Sequence, residues 1–471
     1  MILEPIFGEF VNKSPISVMA RATVQHALSA SELDKLFNEH SELGYEKQLL
    51  FSTTVDLMSM VACGNAPHVK SAFNKIKDRV PVTLKCVYEK LQRIETPVSR
   101  ELVRHVAGRC ESLVDEMGGR CEPLLTGRRT RILDGNHLAS TQKRPKVTRG
   151  HTAGPLPGQA LAVLDPERML ISDIVPCEDG HAQERSLFDQ ITPLVREQDL
   201  WIADRNFCTV DFLKGLSERS AAFVIRRHAG MTVESQTEYG EEVETDTGWV
   251  SECRAWIVRD GIRELSVRMI RVRLKKATED GDRIVEVLTN LTAEEADAVK
   301  VAGLYRNRWK IEGAFHDLTV TLKCELNTLG YPRAALFAFA VAVTAYNVMA
   351  VLKAAMRAVH GEKKVREEVS GYYMSLELAS VLAGMMIVLP AQRWEMFGEM
   401  PAGELAALLK EWAGKINMLD IKKCPPRKPT KNKSPKIKDT SPHLSTARLL
   451  AEEKLRKQAE RKARKEAAKR P

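Results

Sequence analysis

The sequence predicts an α/β protein: a mixed sheet with helices on both faces, interrupted by a β-rich insertion, preceded by a helical region and followed by a basic tail. Three observations carry that expectation. From Thr130 the hydrophobic period turns from helical to alternating, in short runs divided by turn-forming sequence such as GPLPG and Asp165-Pro166. Two apolar, strand-like runs end in aspartate, RTRILD at Asp134 and DLWIAD at Asp204. Far downstream, LYRNRWKIEGAFHDLTVTLK (304–323) has its apolar residues at helical spacing, and Tyr305, Arg308 and Glu312 fall on one face of the helix it predicts.

At 471 residues the chain has room for two to four domains, each with its own core. Its 44% hydrophobic and 28% charged residues are the composition of a soluble globular protein. The net charge of +9 is concentrated: residues 421–471 hold 18 Lys and Arg against 5 Asp and Glu, while the remaining 420 hold 53 against 57. A near-neutral body with a basic arm suits a nucleic-acid partner, and a solvated extension is compatible with that reading. Pro425, Pro426, Pro429 and Pro435 argue against an ordered fold in the opening run KKCPPRKPTKNKSPKIK, and from about Ser445 the arm becomes a Lys/Arg/Glu/Ala-rich helix-former.

Nine cysteines without a C-x2-C pair argue against a disulfide framework or a zinc site, and a reducing cytoplasm is expected. The start, MILEPIFGEFVNKS, lacks a basic segment followed by a long apolar run, so no signal peptide is expected. Residues 334–352 run without a charge, yet Thr344, Tyr346 and Asn347 weaken their drive into lipid. A buried core helix is expected there, not a membrane span.

In chain order, residues 1–125 read as helical. Ser29-x-x-Glu32 forms a capping box ahead of the stripe Leu33, Leu36 and Phe37. Segments 45–62 and 82–94 continue the pattern. After a break at Thr96-Pro97, 98–117 carries Arg100, Arg104 and Arg109. Helix, tight turn and basic helix describe either a DNA-reading pair, with Arg100 and Arg104 as candidate contacts, or a plain bundle with a basic face.

Over 126–227 the short strands are 130–134, 159–164 and 169–175, then a helix over 182–196, a buried strand at 199–204, a helix at 209–217 and a strand at 221–227. Three strands, helix, strand, helix, strand is the order of an RNase H-like fold, with carboxylates closing the first and fourth strands. Residues 228–292 alternate in β fashion around an Asp260-Gly261 hairpin turn and read as an inserted β subdomain. The core resumes over 293–360, helices return over 361–420, and 421–471 is the basic tail.

Two strand-end aspartates and a helical glutamate supply hard oxygen ligands that suit Mg2+ or Mn2+. Asp134, Asp204 and Glu312 are therefore the candidate metal ligands and catalytic residues. Two such ions, about 3.5–4 Å apart, activate a water or 3′-hydroxyl and steady the leaving oxygen of a phosphodiester. Arg308 and Tyr305 would lie beside them, where a guanidinium grips a phosphate with two hydrogen bonds. Otherwise an Arg–Glu pair on a helix face is a solvated ion pair.

The run Tyr305-x2-Arg308-x3-Glu312, preceded by VLTNL and further upstream by DGNHLAS and IADRNF, resembles the insertion-sequence-four family of DDE transposases over residues 130–352. The resemblance implies an RNase H-like catalytic domain with a β insertion, and a homodimer that synapses two transposon ends of double-stranded DNA. It implies Mg2+-dependent hydrolysis and strand transfer into target DNA, in a bacterial cytoplasm at the nucleoid. Carried over to this chain, Asp134, Asp204 and Glu312 are the metal ligands, and Tyr305 and Arg308 contact DNA near the cleaved end. The family's signature lysine falls at Thr319 here. Lys323, eleven residues after Glu312 on the same face, is the candidate for its phosphate contact. A catalytically inactive, DNA-binding descendant is the alternative.

Trp249 and Trp256 of the insertion are candidates to stack on an unpaired base at the transposon end, or else pack the core of a small β unit. His137 reads as a loop histidine. The run Glu178-Asp179-Gly180-His181-x2-Glu184-Arg185 sits at a strand-to-helix junction, where helix capping accounts for most of it and a place near the metals is the alternative.

Overall fold

The computed structural model describes residues 5–42, 48–278, 281–322, 328–424 and 442–467. The helices α1 (Pro5–Lys13), α2 (Pro15–Ala27), α3 (Ala30–His40), α4 (Phe51–Ala62), α5 (Val69–Lys75), α6 (Leu84–Arg93) and α7 (Thr96–Met117) come first. Then come β1 (Arg129–His137), β2 (Gly154–Leu156), β3 (Gln159–Asp165), β4 (Leu170–Cys177), α8 (Phe188–Ile191), β5 (Asp199–Ala203), α9 (Val210–Glu218) and β6 (Ala222–Arg226). The insertion supplies β7 (Val233–Ser235), β8 (Val243–Glu244), β9 (Gly248–Arg259), β10 (Ile262–Leu274) and β11 (Ile284–Thr289). After it follow α10 (Ala298–Arg306), α11 (Trp309–His316), α12 (Pro332–His360), α13 (Glu362–Glu368), α14 (Gly371–Val388), α15 (Gln392–Glu395) and α16 (Ala402–Ala413). The C-terminal arm adds β12 (His443–Ser445) and α17 (Thr446–Ala467).

One sheet runs through the molecule in the order β4-β3-β1-β5-β6-β11-β10-β9-β7, with β8 on β9. β1, β5 and β6 are parallel, and every residue of β3 and β5 is buried, as strands covered on both faces require. This is the RNase H-like arrangement expected. The insertion, however, is not a separate β unit. β11 pairs antiparallel with β6, Thr289 opposite Val224, so the inserted strands extend the catalytic sheet. Thr289 Oγ1 donates to the Phe223 carbonyl, and the Asn290 side chain bonds Phe223 N–H and Ala221 C=O. Without β11, β6 would end the sheet with a row of unpaired backbone groups. The helix expected over 182–196 also breaks up, into the 3-10 turns Glu184–Leu187 and Thr192–Leu194 around α8. Pro193 has no N–H to continue it.

The helical parts before and after the sheet share a single apolar core. Phe7 packs on Trp394 at 5.6 Å between ring centres, and Phe397 on Trp412 at 6.0 Å, so the chain's two helical ends close on each other. Of the capping box expected at α3 the N-cap half forms, Ser29 Oγ accepting from Glu32 N–H with Leu33, Leu36 and Phe37 buried behind it, while Glu32 Oε2 lies 3.6 Å from His105 Nε2. α7 is the spine of this layer, with Val98, Leu102, Val106, Cys110 and Leu113 all fully buried. It is not a surface helix, and its basic residues are taken up by partners within the protein. Arg100 donates to both carboxylate oxygens of Asp173 on β4, at 3.0 and 2.9 Å, and Arg104 donates to Asp173 at 2.8 Å and to Glu101 at 2.6 Å. Asp173 is only 6% exposed, so the two arginines neutralise a carboxylate that burial would otherwise penalise. The DNA-reading candidacy of Arg100 and Arg104 is corrected accordingly.

Residues 334–352 lie within α12, which is buried in the protein as the core-helix reading expects. α14 is the other helix among the described residues apolar and long enough to pass for a membrane span, and only Met374 and Met385 of it are buried. In the arm, α17 is the helix expected from about Ser445, the proline run lies outside the described residues, and the parallel pairing of β12 with β2 is an addition to the expectation.

Candidate active site

The parallel register of β1 and β5 creates the site. Ile132 lies opposite Ile202 and Leu133 opposite Ala203, so one step further on come Asp134 and Asp204, side by side on strands about 4.8 Å apart. Asp204 ends its strand by capping a 3-10 turn, Oδ1 accepting from Asn206 N–H at 2.7 Å. Asp134 Oδ1 accepts from the Gly135 N–H at 3.0 Å. Arg308 then brings in the third carboxylate: Nη1 donates to Asp134 Oδ2 at 2.8 Å and Nη2 to Glu312 Oε1 at 2.6 Å.

The single helix expected over 304–323 is in fact broken. α10 ends at Arg306, Asn307 and Arg308 form a turn, α11 starts at Trp309, and a π-helical segment follows over Asp317–Thr321. The break shifts the faces: Trp309, an apolar residue of that helical spacing, is 63% exposed, while Ile311 and Leu318 are buried. Tyr305 keeps its place against Arg308 and Asp204, and burial pushes its hydroxyl pKa up. Thr319, at the position of the signature lysine, spends its hydroxyl on the Phe315 carbonyl at 3.1 Å. Lys323 lies outside the described residues.

A fourth carboxylate completes the cluster. Glu184 Oε2 accepts from Asn206 Nδ2 at 3.2 Å, and Asn206 is the residue whose backbone N–H caps Asp204. A Cβ on Gly135 would stand 1.7 Å from Glu184 Oε1, so the carboxylate occupies the space that only glycine leaves there. Capping explains little of Glu184. The sequence signal was Gly135 directly after Asp134, together with the polar run ahead of Glu184. Burial pushes the Asp134 carboxyl up to about 7 against the pull of Arg308, with Asp204 and Glu184 pushing the same way. Burial likewise raises Glu184, with Asn206 opposing and Asp204 adding to it. Arg308 loses solvation too, but Asp134, Tyr305 and Glu312 more than offset that and hold its proton tighter than usual.

This is an anionic cluster with a single guanidinium at its centre. Its hard oxygen donors fit Mg2+ or Mn2+. Among the described residues no three of these side chains yet stand close enough to hold an ion, because Arg308 fills the space between Asp134 and Glu312.

The other candidates lie elsewhere. Trp249 and Trp256 are half-buried on β9, four strands from β5 and so roughly 19 Å across the sheet. Trp249 lies under the Arg273 guanidinium, 4.2 Å from its ring centre. His137 is exposed at the end of β1. A cavity of about 820 Å³ lies behind α10 and α11 and is lined by none of the four carboxylates.

Residues 125–348 match the family model of the Transposase DDE domain. No curated protein matches the chain. The matched stretch opens just before β1, closes inside α12, and encloses Asp134 within β1 (which runs three residues past the strand end expected there), Asp204 just after β5, and Glu312 on α11. Residues 125–348 of the chain thus form a transposase DDE domain.

Proposed function

We propose that this chain is a transposase that binds the terminal inverted repeats of its own insertion sequence, hydrolyses the phosphodiester at each end and joins the freed 3′-hydroxyl to target DNA, by cut-and-paste of the insertion-sequence-four kind. The observation that carries this reading is the β1–β5 register, whose last pair, Leu133 opposite Ala203, immediately precedes Asp134 and Asp204, with Glu312 linked to Asp134 through Arg308. Asp134, Asp204 and Glu312 would hold two Mg2+ or Mn2+ ions, and Glu184 is the nearest further donor. Such a pair, when bound, supplies activation of the attacking oxygen and charge relief at the leaving oxygen.

The chain's own residues orient the DNA. Arg308 presents a fork that a phosphate oxygen can enter in place of a carboxylate, and Tyr305 braces it from α10. Two copies would act together, each holding one end, in the bacterial cytoplasm at the nucleoid. Support for pairing comes from the exposed apolar residues Tyr372, Leu376, Ile387 and Val388 on α14.

The test uses purified protein and DNA bearing the element's terminal repeats. Asp134→Asn, Asp204→Asn and Glu312→Gln should each abolish Mg2+-dependent cleavage and leave end binding largely intact. Full cleavage by any one of them refutes the assignment. The rival, a non-catalytic DNA-binding descendant, is favoured by Thr319 in the signature position and by Arg308 filling the carboxylate cluster. A metal-titrated nicking assay on wild-type protein separates the two.

A further inference from the structure

The C-terminal arm is fastened at both its strand and its first helical turn. Leu444 of β12 lies opposite Pro155 of β2, and Arg448 donates from Nε to Asp179 Oδ2 at 2.8 Å. Ser445 and Thr446 are buried. The anchor is close to the catalytic cluster along two routes. β2 leads into β3, the neighbour of β1, and Asp179 stands five residues before Glu184.

From this anchor α17 packs against the 3-10 turn Lys146–Thr148, in the loop between β1 and β2. The helix holds eight Lys and Arg against four Glu in TARLLAEEKLRKQAERKARKEA, and Leu455 is 66% exposed on it. It has no apolar stripe with which to pack on another helix. The loop beneath adds Lys143, Lys146 and Arg149, all exposed, while Arg144 turns inward onto the Thr148 and Thr152 carbonyls and shapes the loop. Twenty-two residues of helix extend about 33 Å, on the order of ten base-pair steps of duplex.

We propose that the anchored arm is a DNA clamp: α17 and the 143–149 loop form one basic surface beside the carboxylate cluster, and its partner is the phosphate backbone of duplex DNA running through the site. This rests on the transposase reading and adds to it a fixed place for the arm. A loose basic tail would raise affinity anywhere along the DNA; a fastened one holds the duplex in one register relative to Asp134 and Asp204.

The test uses the full chain and random-sequence duplex DNA over a salt series. Lys146→Glu/Arg149→Glu and Arg461→Glu/Arg464→Glu/Lys465→Glu should each flatten the log–log salt dependence by roughly 2 to 3, at about 0.9 for each phosphate no longer neutralised. Asp179→Ala/Arg448→Ala keeps the net charge and releases the anchor. A photo-crosslinker at Gln458 should mark a narrow window beside the cleavage site on terminal-repeat DNA, and that window should spread in the anchor variant. Unchanged salt slopes, an equally broad window in wild type, or charge variants that alter only self-association each overturn the clamp. Metal-dependent cleavage by wild type is read separately: cleavage with unchanged slopes sinks the clamp alone, and absent cleavage sinks the transposase reading alone.

Discussion

Arg308 holds Asp134 at 2.8 Å, joining the middle of β1 to the turn between α10 and α11 across 174 residues of chain. The same guanidinium holds Glu312, so one cation keeps two carboxylates of the cluster together. Arg308→Ala should leave those charges to repel in a half-buried place and cost roughly 1–3 kcal/mol in chelator. Added Mn2+ should restore most of the melting temperature, because a divalent ion takes over the role of the guanidinium. Arg308→Lys should recover only part of the chelator stability, since an ammonium lacks the two-pronged geometry. Thermal melts with EDTA and with Mn2+ check all three.

Gly135→Ala should displace Glu184 without unfolding the protein. The clash falls on the end of a flexible side chain, so stability should change by less than about 1 kcal/mol. Cleavage should fall about 10–100-fold, the range for removing a group that orients metal ligands. On a Glu184→Gln background the same substitution should add little, because both act through one carboxylate. Single-turnover cleavage rates of the four proteins decide it.

Asp173→Ala should destabilise the protein by about 1–3 kcal/mol, because it takes the carboxylate from the nearly buried Arg100, while Arg104 keeps Glu101. Arg100→Ala should be smaller in the same direction. Neither should change the salt slope of DNA binding, which a surface DNA-reading helix would. Urea unfolding beside DNA titration checks this.

Asn347, fully buried on α12, completes the outer edge of β4. Its amide accepts from Ile171 N–H at 2.9 Å and donates to Ile171 C=O at 3.0 Å. Asn347→Leu should leave both backbone groups unsatisfied and cost about 2–4 kcal/mol by urea unfolding. An equal midpoint for the mutant would mean the strand edge finds water instead.

The candidate site was largely legible in the sequence. Asp134 and Asp204 stood out because they end apolar runs, and strand ends in a parallel sheet meet at one edge. Glu312 stood out by its spacing from Arg308 and Tyr305. The buried character of 334–352 followed from composition, and the cap at Ser29 from four adjacent residues. Such signals are local or periodic, so a linear reading captures them.

What only the tertiary structure decided lies in pairings between distant residues. Arg100 reads as a DNA contact until Asp173, 73 positions away, is seen to claim it. Glu184 reads as a cap until Gly135 gives it space beside Asp134. The break at Asn307–Arg308 carries no proline or glycine to announce it, and the inserted strands show their alternation but not that β6 needs β11 to cover its edge. The composition after Ser445 announced a helix in the arm, but not that β12 finds a strand edge at β2 and Arg448 finds Asp179. Charge and hydrogen-bonding capacity are properties of a residue; what satisfies them is a property of the fold, because burial makes an unmatched group too costly to leave.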